Sequence, residues 1–131
     1  MATTSNTVSA ASLTGVLPMA HVMDVARSIG FYQKLGFGVF KTYEHDGQLQ
    51  WVCLSLDGVP QLMLTRSGRP MNPGAQDVLF YLYARNIAEY REQLRAQGIA
   101  VGELQYPFYS PRGEFRVTDP DGWDLFVSHA D

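Results

Sequence analysis

The stretch "EFRVTDPDGWDLFVS", residues 114–128, contains the clearest structural pattern of this chain. Apolar residues alternate with polar ones on both sides of "DPDG" (119–122), and such alternation is typical of half-buried strands. Asp at the first turn position, Pro at the second and Gly at the fourth favour a type I turn. The spacing of a calcium-binding loop is missing. The stretch therefore predicts a β-hairpin in which Asp119 and Asp121 shape the turn, and only Asp124 is a candidate for a ligand-facing position.

The chain also repeats a helical pattern. Shifting it by 62 positions (86 − 24) aligns "DVARSIGFYQKLGFGV" (24–39) with "NIAEYREQLRAQGIAV" (86–101). Each copy begins with a residue suited to cap a helix, Asp24 or Asn86. Glu89, at the third helical position, predicts a capping box in the second copy. Each copy ends at a glycine suited to a left-handed backbone, so two helices are predicted.

Strand-like runs surround both helices. They are found at 16–23, 38–44, 49–56 and 60–66 in the first half, and at 78–84, about 100–105, 114–119 and 123–128 in the second. Each half thus reads β-α-β-β-β, which predicts an α+β fold of two βαβββ modules. We expect a flexible tail at 1–14 and a single domain at 15–131, with modules at 15–66 and 78–131 and a Pro- and Gly-containing linker at 67–77. A coincidental alternation of helices and strands is the competing interpretation.

The composition of the chain excludes some classes of binding partner. The 131 residues carry a net charge of -3, without the basic surface that nucleic-acid binding needs. A single cysteine, Cys53, suits a reducing compartment, and the start of the chain lacks the pattern of a signal peptide. No apolar run reaches the roughly 20 residues that span a bilayer. We therefore expect a cytoplasmic protein that contacts neither nucleic acid nor membrane.

The combined motifs resemble the vicinal oxygen chelate superfamily. The group includes glyoxalase I, extradiol dioxygenases, fosfomycin-resistance enzymes and bleomycin-resistance proteins. The likeness is greatest to the bleomycin-resistance type, and the matching residues are Pro18, Asp24-Val25, Phe31-Tyr32, "LGF" (35–37) and "RGEFRVTDPDG" (112–122). One departure is that Gly113 directly precedes Glu114, where the family pattern has a residue between them. The resemblance implies curved, partly open, barrel-like sheets and a homodimer with ligand grooves at or near the subunit interface.

Enzymes of this superfamily hold a divalent metal with one residue from each of four strands. The resemblance maps these positions onto Leu17, Met63, Leu79 and Phe126. Three of these side chains have no donor atom, and a lone thioether is a poor ligand for Zn, Ni, Mn or Fe. The chain's three histidines lack the spacing of a metal site. The sequence therefore predicts neither a metal nor another cofactor.

Strand alternation assigns a second set of side chains to the sheet faces that turn away from the helices. From this set we predict ligand-binding residues at Met19, His21, Trp51, Met63, Tyr81, Tyr83, Glu114, Arg116 and Phe126. Aromatic rings would stack on a planar ligand, methionines would line the pocket, and Glu114 and Arg116 would anchor polar groups or pair with each other. The loop "YPFYSPRG" (106–113) is a candidate flap. The competing interpretation is that these aromatics fill a subunit interface or a second core.

No catalytic motif is evident, and we predict no catalytic residue. The resemblance implies reversible, metal-free binding of a planar, aromatic or glycopeptide-type antibiotic or metabolite. Two alternatives stay open at this point. One is a metal-dependent lyase, isomerase or dioxygenase of the same superfamily. The other is a ligand sensor or an accessory subunit that docks another protein.

Overall fold

The computed structural model describes residues 14–130. The predicted tail, 1–14, thus lies outside the described residues except for Thr14. Strand β1 (Met19–Val22) and helix α1 (Val25–Leu35) are followed by β2 (Gly38–His45), β3 (Gln48–Leu56) and β4 (Val59–Arg66). A short 3₁₀ turn (Pro73–Ala75) leads to β5 (Leu79–Ala84), α2 (Ile87–Ala96), β6 (Glu114–Thr118) and β7 (Asp124–His129). The predicted α+β class with a repeated βα pattern is confirmed.

The strands form two mixed sheets that stay open within the described residues. The first sheet has the order β1-β4-β3-β2, and the second has the order β5-β7-β6. In each, the strand before the helix pairs in parallel with the last strand of its half, β1 with β4 and β5 with β7. The remaining pairs are antiparallel. Both halves therefore use the same connection, as the sequence repeat predicts.

The strand expected near 100–105 is reduced to an isolated bridge between Gln105 and Glu114. The Gly102 amide donates to the Arg116 carbonyl (2.8 Å), and Gln105 and Glu114 exchange two bonds of 2.8 Å. The segment runs so close to β6 that a Cβ atom on Gly102 would lie 3.1 Å from the Arg116 carbonyl oxygen. The second sheet consequently has one strand fewer than the first.

The two helices begin differently. Asp24 caps α1 as predicted, because its side chain accepts the Arg27 amide at 3.1 Å. The predicted cap of α2 is wrong: Asn86 has a left-handed backbone (φ 51°, ψ 56°) and its side chain makes no cap bond. Glu89 accepts instead from Gln93 one turn later, at 3.4 Å. Both helices end as expected, at glycines with positive φ.

One hydrophobic core is shared by the two halves. Its fully buried members come from α1 and the first sheet (Val22, Val25, Tyr32, Val52, Leu54, Leu64) and from α2 and the second sheet (Leu94, Phe115, Val117, Leu125, Val127). The Tyr90 hydroxyl of α2 donates to the carbonyl of Leu35 at the end of α1, at 2.6 Å. The faces of the sheets that turn away from this core carry the residues considered below.

The hairpin predicted at 119–122 is confirmed. The Gly122 amide donates to the Asp119 carbonyl at 3.0 Å, which closes the turn between β6 and β7. The Asp119 side chain adds two bonds, since its Oδ1 accepts the amides of Asp121 (2.8 Å) and Trp123 (2.9 Å). Self-bonding of this kind is the reason aspartate favours turns.

Both aspartates of the turn also bind the first half of the chain, and we call Asp119 and Asp121 the carboxylate clamp. Asp119 Oδ2 accepts the Tyr32 hydroxyl at 2.8 Å. Asp121 Oδ1 accepts the Met23 amide (2.9 Å) and the Arg27 guanidinium (3.1 Å) at the start of α1. Both carboxylates are buried, so these bonds form where water is excluded. The clamp joins the hairpin to α1 across more than 80 residues of sequence.

We expect Tyr32→Phe to lower the free energy of unfolding by about 1–3 kcal/mol at neutral pH, because it removes a donor from the buried Asp119 carboxylate. Burial raises the pKa of Asp119 above its ordinary value of 3.8, and the bond from Tyr32 opposes that rise. A raised carboxyl pKa gives a contribution to stability that is full below 3.8 and is lost as pH rises through the folded-state pKa. The variant raises this pKa further, so its deficit should be small in acid and largest at neutral pH.

Urea unfolding followed by circular dichroism, between about pH 3.5 and pH 7, measures this deficit. Tyr90→Phe is the matched control, because its hydroxyl bonds a carbonyl and no carboxylate. Its deficit should be nearly independent of pH over the same range. Parallel pH profiles for the two variants would show that the Tyr32–Asp119 bond does not control the ionisation of Asp119.

Candidate functional site

Three aromatic rings stack across the free face of the second sheet. Tyr81 pairs in register with Phe126, and their rings lie 5.6 Å apart at 23°. Tyr83, two residues along β5, stacks on Tyr81 at 6.4 Å and 26°. Tyr81 is 44% exposed and Tyr83 70% exposed. We call Tyr81, Tyr83 and Phe126 the aromatic platform; it offers an apolar, planar surface to a ligand.

The predicted residues of the first sheet lie in two neighbouring rows. Met19 pairs with Met63, which pairs with the buried Cys53. In the next row, Thr65 separates His21 from Trp51. Met19 and His21 are exposed, whereas Trp51 and Met63 are half-buried. This face thus combines two methionines and an indole, but it belongs to a different sheet from the aromatic platform.

Glu114 and Arg116 do not pair with each other, although pairing is one of the two roles that the sequence offers for them. The Arg116 guanidinium binds Asp124 instead, with Nη2 at 2.8 Å and Nε at 3.0 Å from the same Oδ1. Two residues along one strand are separated by roughly 6.6 Å, whereas Asp124 lies on the neighbouring β7, diagonally opposite Arg116. Asp124, the candidate singled out in the hairpin, is therefore committed to an ion pair.

Glu114 lies beneath the loop that the sequence predicts as a flap. Its side chain is 6% exposed, and Oε2 accepts the Tyr109 hydroxyl at 3.2 Å. Oε1 is buried and has no hydrogen-bond partner among residues 14–130. Partial burial, with contributions from Glu114 and Tyr81, raises the pKa of Tyr109, so its hydroxyl stays a proton donor. The loop is anchored by a 2.6 Å bond between Ser110 and Ser128.

Three cavities surround these residues. A cavity of about 660 Å³ is lined by Tyr81 and Tyr83, and one of about 410 Å³ by Glu114, Arg116 and Phe126. The aromatic platform lies between these two, because the stacked Tyr81 and Phe126 line one cavity each. His21 lines a third cavity, of about 440 Å³, beside the linker. Met19, Trp51 and Met63 line none of the three, so none of these three cavities unites the nine predicted residues.

Sequence reasoning missed part of the lining. Tyr90 and Leu35, which were not among the predicted ligand-binding residues, reach the cavity of about 660 Å³ from the helices. Burial raises the pKa of Tyr90 to about 12, so it acts there as a neutral donor to Leu35. Tyr109 was also missed as an individual residue, although the aromatic loop "YPFYSPRG" signals it.

The side chains at the positions implied for a metal do not fit one. Leu17 and Leu79 end in methyl groups, and Phe126 presents an aromatic ring. The strand register pairs Met63 with Met19 and Phe126 with Tyr81, so neighbouring positions add one further thioether and one phenol. Among residues 14–130, His, Cys, Asp and Glu side chains nowhere form a group of three that could hold a metal ion. The donor set is unsuited to the oxygen- and nitrogen-preferring metals of related enzymes.

The helices of residues 14–130 are all too short or too polar to cross a membrane.

Comparison with curated proteins found no match. Among solved structures, a bleomycin-binding protein complexed with bleomycin superimposes with a TM-score of 0.72, at 19% identity over 91% of this chain and 100% of that chain. TnmS3, an antibiotic binding protein from Streptomyces sp. CB03234, gives a TM-score of 0.71 at 19% identity, over 92% of this chain and 98% of that one.

A bleomycin resistance determinant encoded on the transposon Tn5 gives a TM-score of 0.68 at 19% identity, over 91% of this chain and 99% of that one. These likenesses show the fold that the strand order and paired βα units describe. The sequence profile of a known superfamily matches residues 17–126, which include both sheets up to the middle of β7. By that match, the chain belongs to the Glyoxalase/Bleomycin resistance protein/Dioxygenase superfamily.

Proposed function

We propose that this protein reversibly binds a planar or aromatic small molecule, without a metal and without transforming it. The ligand would be an antibiotic, including the glycopeptide type, or a metabolite, and binding would sequester it. The aromatic platform is the observation that carries the proposal, because two of its three stacked rings are open to solvent beside cavities. Exposed aromatic faces next to cavities of this size are typical of ligand sites.

The similar structures support this proposal. One is a bleomycin-binding protein complexed with bleomycin, and another is an antibiotic binding protein. Met19, His21, Trp51, Met63, Tyr81, Tyr83, Glu114, Arg116 and Phe126 remain the proposed ligand-binding residues. Trp51 and the aromatic platform would stack on the ligand, and the two methionines would adapt to its outline.

We further propose that the site is completed in a homodimer, in a groove at the subunit interface. The proposed residues lie on two sheets, and none of the three cavities described above unites them. Large apolar side chains are exposed on both sheets, including Met19 (53%), Tyr43 (57%), Leu79 (46%) and Tyr83 (70%). Apolar surfaces of this kind mark interaction sites. A second copy would bring the methionines and Trp51 of one chain opposite the aromatic platform of the other.

The proposal includes a domain division and a location. Residues 15–131 would form one domain, with modules at 15–66 and 78–131 joined by the linker at 67–77. The shared core supports a single domain, because it draws side chains from both halves. The free, buried Cys53 is compatible with the reducing cytoplasm.

Tryptophan fluorescence tests the binding. We expect saturable quenching by bleomycin or by planar aromatic compounds, at two sites per dimer of 14.6 kDa chains. Trp51, half-buried on its sheet face, is the reporter. Trp123 contributes the background emission, and its indole N–H donates to the His21 carbonyl at 2.9 Å. Tyr81→Ala should weaken binding by about tenfold or more, since it removes the middle ring of the stack.

Phe40→Ala is the matched control for Tyr81→Ala. Phe40 is another exposed aromatic strand residue (54%) and is not among the nine proposed ligand-binding residues, so its loss should leave the dissociation constant unchanged. Equal weakening by both variants would argue against stacking on the aromatic platform. Stoichiometric Ni, Zn, Mn or Fe in protein purified without chelator would refute the metal-free part. A monomer by sedimentation equilibrium, with ligand bound, would refute the interfacial groove.

A further inference from the structure

Glu114 is a buried carboxylate with unused hydrogen-bonding capacity. Only 6% of the residue is exposed, and it lines the cavity of about 410 Å³ between β6 and the segment from Gly102 to Tyr109. Within residues 14–130, Oε1 receives no hydrogen bond, and the only donor to the side chain is the Tyr109 hydroxyl on Oε2. A buried carboxylate oxygen without a donor is costly, so this arrangement favours any ligand that supplies one.

No cation among the described residues neutralises Glu114. The nearest candidate on the same strand face, Arg116, is bound to Asp124 at 2.8 Å, and none of the ion pairs of residues 14–130 includes Glu114. Tyr109 is a neutral donor. Glu103 lines the same cavity, so its walls carry two carboxylates against one guanidinium whose charge Asp124 already balances. The electrostatic potential of the cavity therefore favours a positive charge.

The cavity also joins the aromatic platform. Phe126 lines it, and the Phe126 ring stacks on Tyr81 at 5.6 Å. A planar ligand that stacks on these rings would lie at the mouth of the cavity, and a short substituent could enter toward Glu114. Aromatic stacking and a carboxylate acceptor are thus adjacent, and together they define a class of ligand.

We propose that the Glu114 carboxylate anchors a cationic nitrogen group carried by a planar aromatic ligand, such as an amidinium, guanidinium or protonated amine. This inference rests on the proposed function and specifies its ligand class. A charged N–H donor satisfies Oε1 and neutralises the buried carboxylate at once, which a neutral donor cannot do. The aromatic platform supplies the stacking contact, and Glu114 discriminates among ligands by their charge.

Three probes of the same shape test this selectivity: 2-naphthamidine, a cation; 2-naphthamide, neutral; and 2-naphthoate, an anion. Isothermal titration calorimetry on the full chain should rank them in that order. The cation should bind about tenfold tighter than the amide or better, as expected for a hydrogen bond to a charged partner. Glu114→Gln keeps the side-chain shape and should reduce the amidine-to-amide ratio to near one, with little effect on the amide itself.

Two further variants keep the test decisive. Glu44→Gln removes one negative charge from an exposed strand residue that lines none of the three cavities, so the amidine-to-amide ratio should stay at the wild-type value. Tyr109→Phe keeps the carboxylate but removes its one donor, so the preference for the cation should grow. It also replaces Glu114→Gln as the decisive variant if circular dichroism shows that the glutamine protein is unfolded.

The outcomes separate this inference from the proposed function. Equal binding of all three probes to the wild-type protein would overturn the role of Glu114 while leaving reversible aromatic binding intact. A cation preference that survives Glu114→Gln, or that Tyr109→Phe abolishes, would overturn it as well. If none of the probes and no bleomycin-type compound binds, the proposed function itself fails and the inference fails with it.

Discussion

We expect Gly122→Ala to destabilise the protein by about 3 kcal/mol or more, which is a large share of the stability of a domain of this size. Gly122 closes the hairpin turn with φ of 87°, a left-handed conformation that costs a residue with a Cβ atom about 1 kcal/mol. A Cβ atom there would also overlap the Cα and carbonyl oxygen of Pro73. Because the obstacle is backbone, relief requires the linker or the hairpin to move.

Gly47→Ala separates the two costs. Gly47 has a similar backbone (φ 75°) in the turn between β2 and β3, but a Cβ atom there would meet nothing within 4 Å. Its substitution should therefore cost only the conformational term, about 1 kcal/mol. Urea unfolding of both variants, followed by circular dichroism, gives the difference. Equal losses would mean that the linker does not pack against the turn as closely as the structure indicates.

The second large effect is expected at Asp121, which directly precedes Gly122 in the same turn. Asp121→Ala should lower the free energy of unfolding by about 2–4 kcal/mol, because it leaves the Met23 amide and the Arg27 guanidinium without their acceptor. Arg27 is about half exposed, so water can replace part of the hydrogen bonding that it loses. Asp121 is 2% exposed, so the space left by its side chain would stay buried. For a chain of this length the melting temperature should fall by roughly 10 °C.

Asp24→Ala is the control for Asp121→Ala, because both aspartates accept hydrogen bonds from residues at the start of α1 and a smaller loss of stability is expected at Asp24. Asp24 caps the helix from an exposed position, accepting the Arg27 amide at 3.1 Å. Loss of such a cap costs about 1 kcal/mol, so the Asp121 variant should be clearly less stable. A smaller loss at Asp121 than at Asp24 would show that the carboxylate clamp contributes little to holding the two halves together.

Local patterns predicted much of the fold. The alternation around "DPDG" predicted the hairpin, and the paired helix patterns predicted α1, α2 and their glycine ends. These features depend on residues within a few positions of one another, so the sequence carries them directly. Where local signals were weak they misled: the αL backbone of Asn86 turns its side chain away from the cap that its residue type favours. The run near 100–105 forms an isolated bridge and not a strand.

The candidate site was predictable by face but not by partner. Strand alternation put Tyr81, Tyr83 and Phe126 on one face, and the rings do stack there. Alternation alone did not predict that Arg116 forms an ion pair with Asp124. Nor did it predict that Glu114 is buried under Tyr109, with one carboxylate oxygen that lacks a hydrogen-bond donor among the described residues. Those choices depend on cross-strand register and on how the loop folds back over β6, which are properties of the assembled sheet.

By itself, the sequence determined the repeated α+β pattern, the turn between β6 and β7, and the lack of suitable donors at the implied metal positions, because each depends on residue type and short spacing. Only the tertiary structure decided what the aspartates of that turn do. Asp119 and Asp121 shape the hairpin as predicted. They are also buried, and they accept hydrogen bonds from Tyr32, Met23 and Arg27, which lie 87 to 98 residues earlier in the sequence. Contacts over such distances arise only when the two halves pack into one core, and no short pattern encodes them.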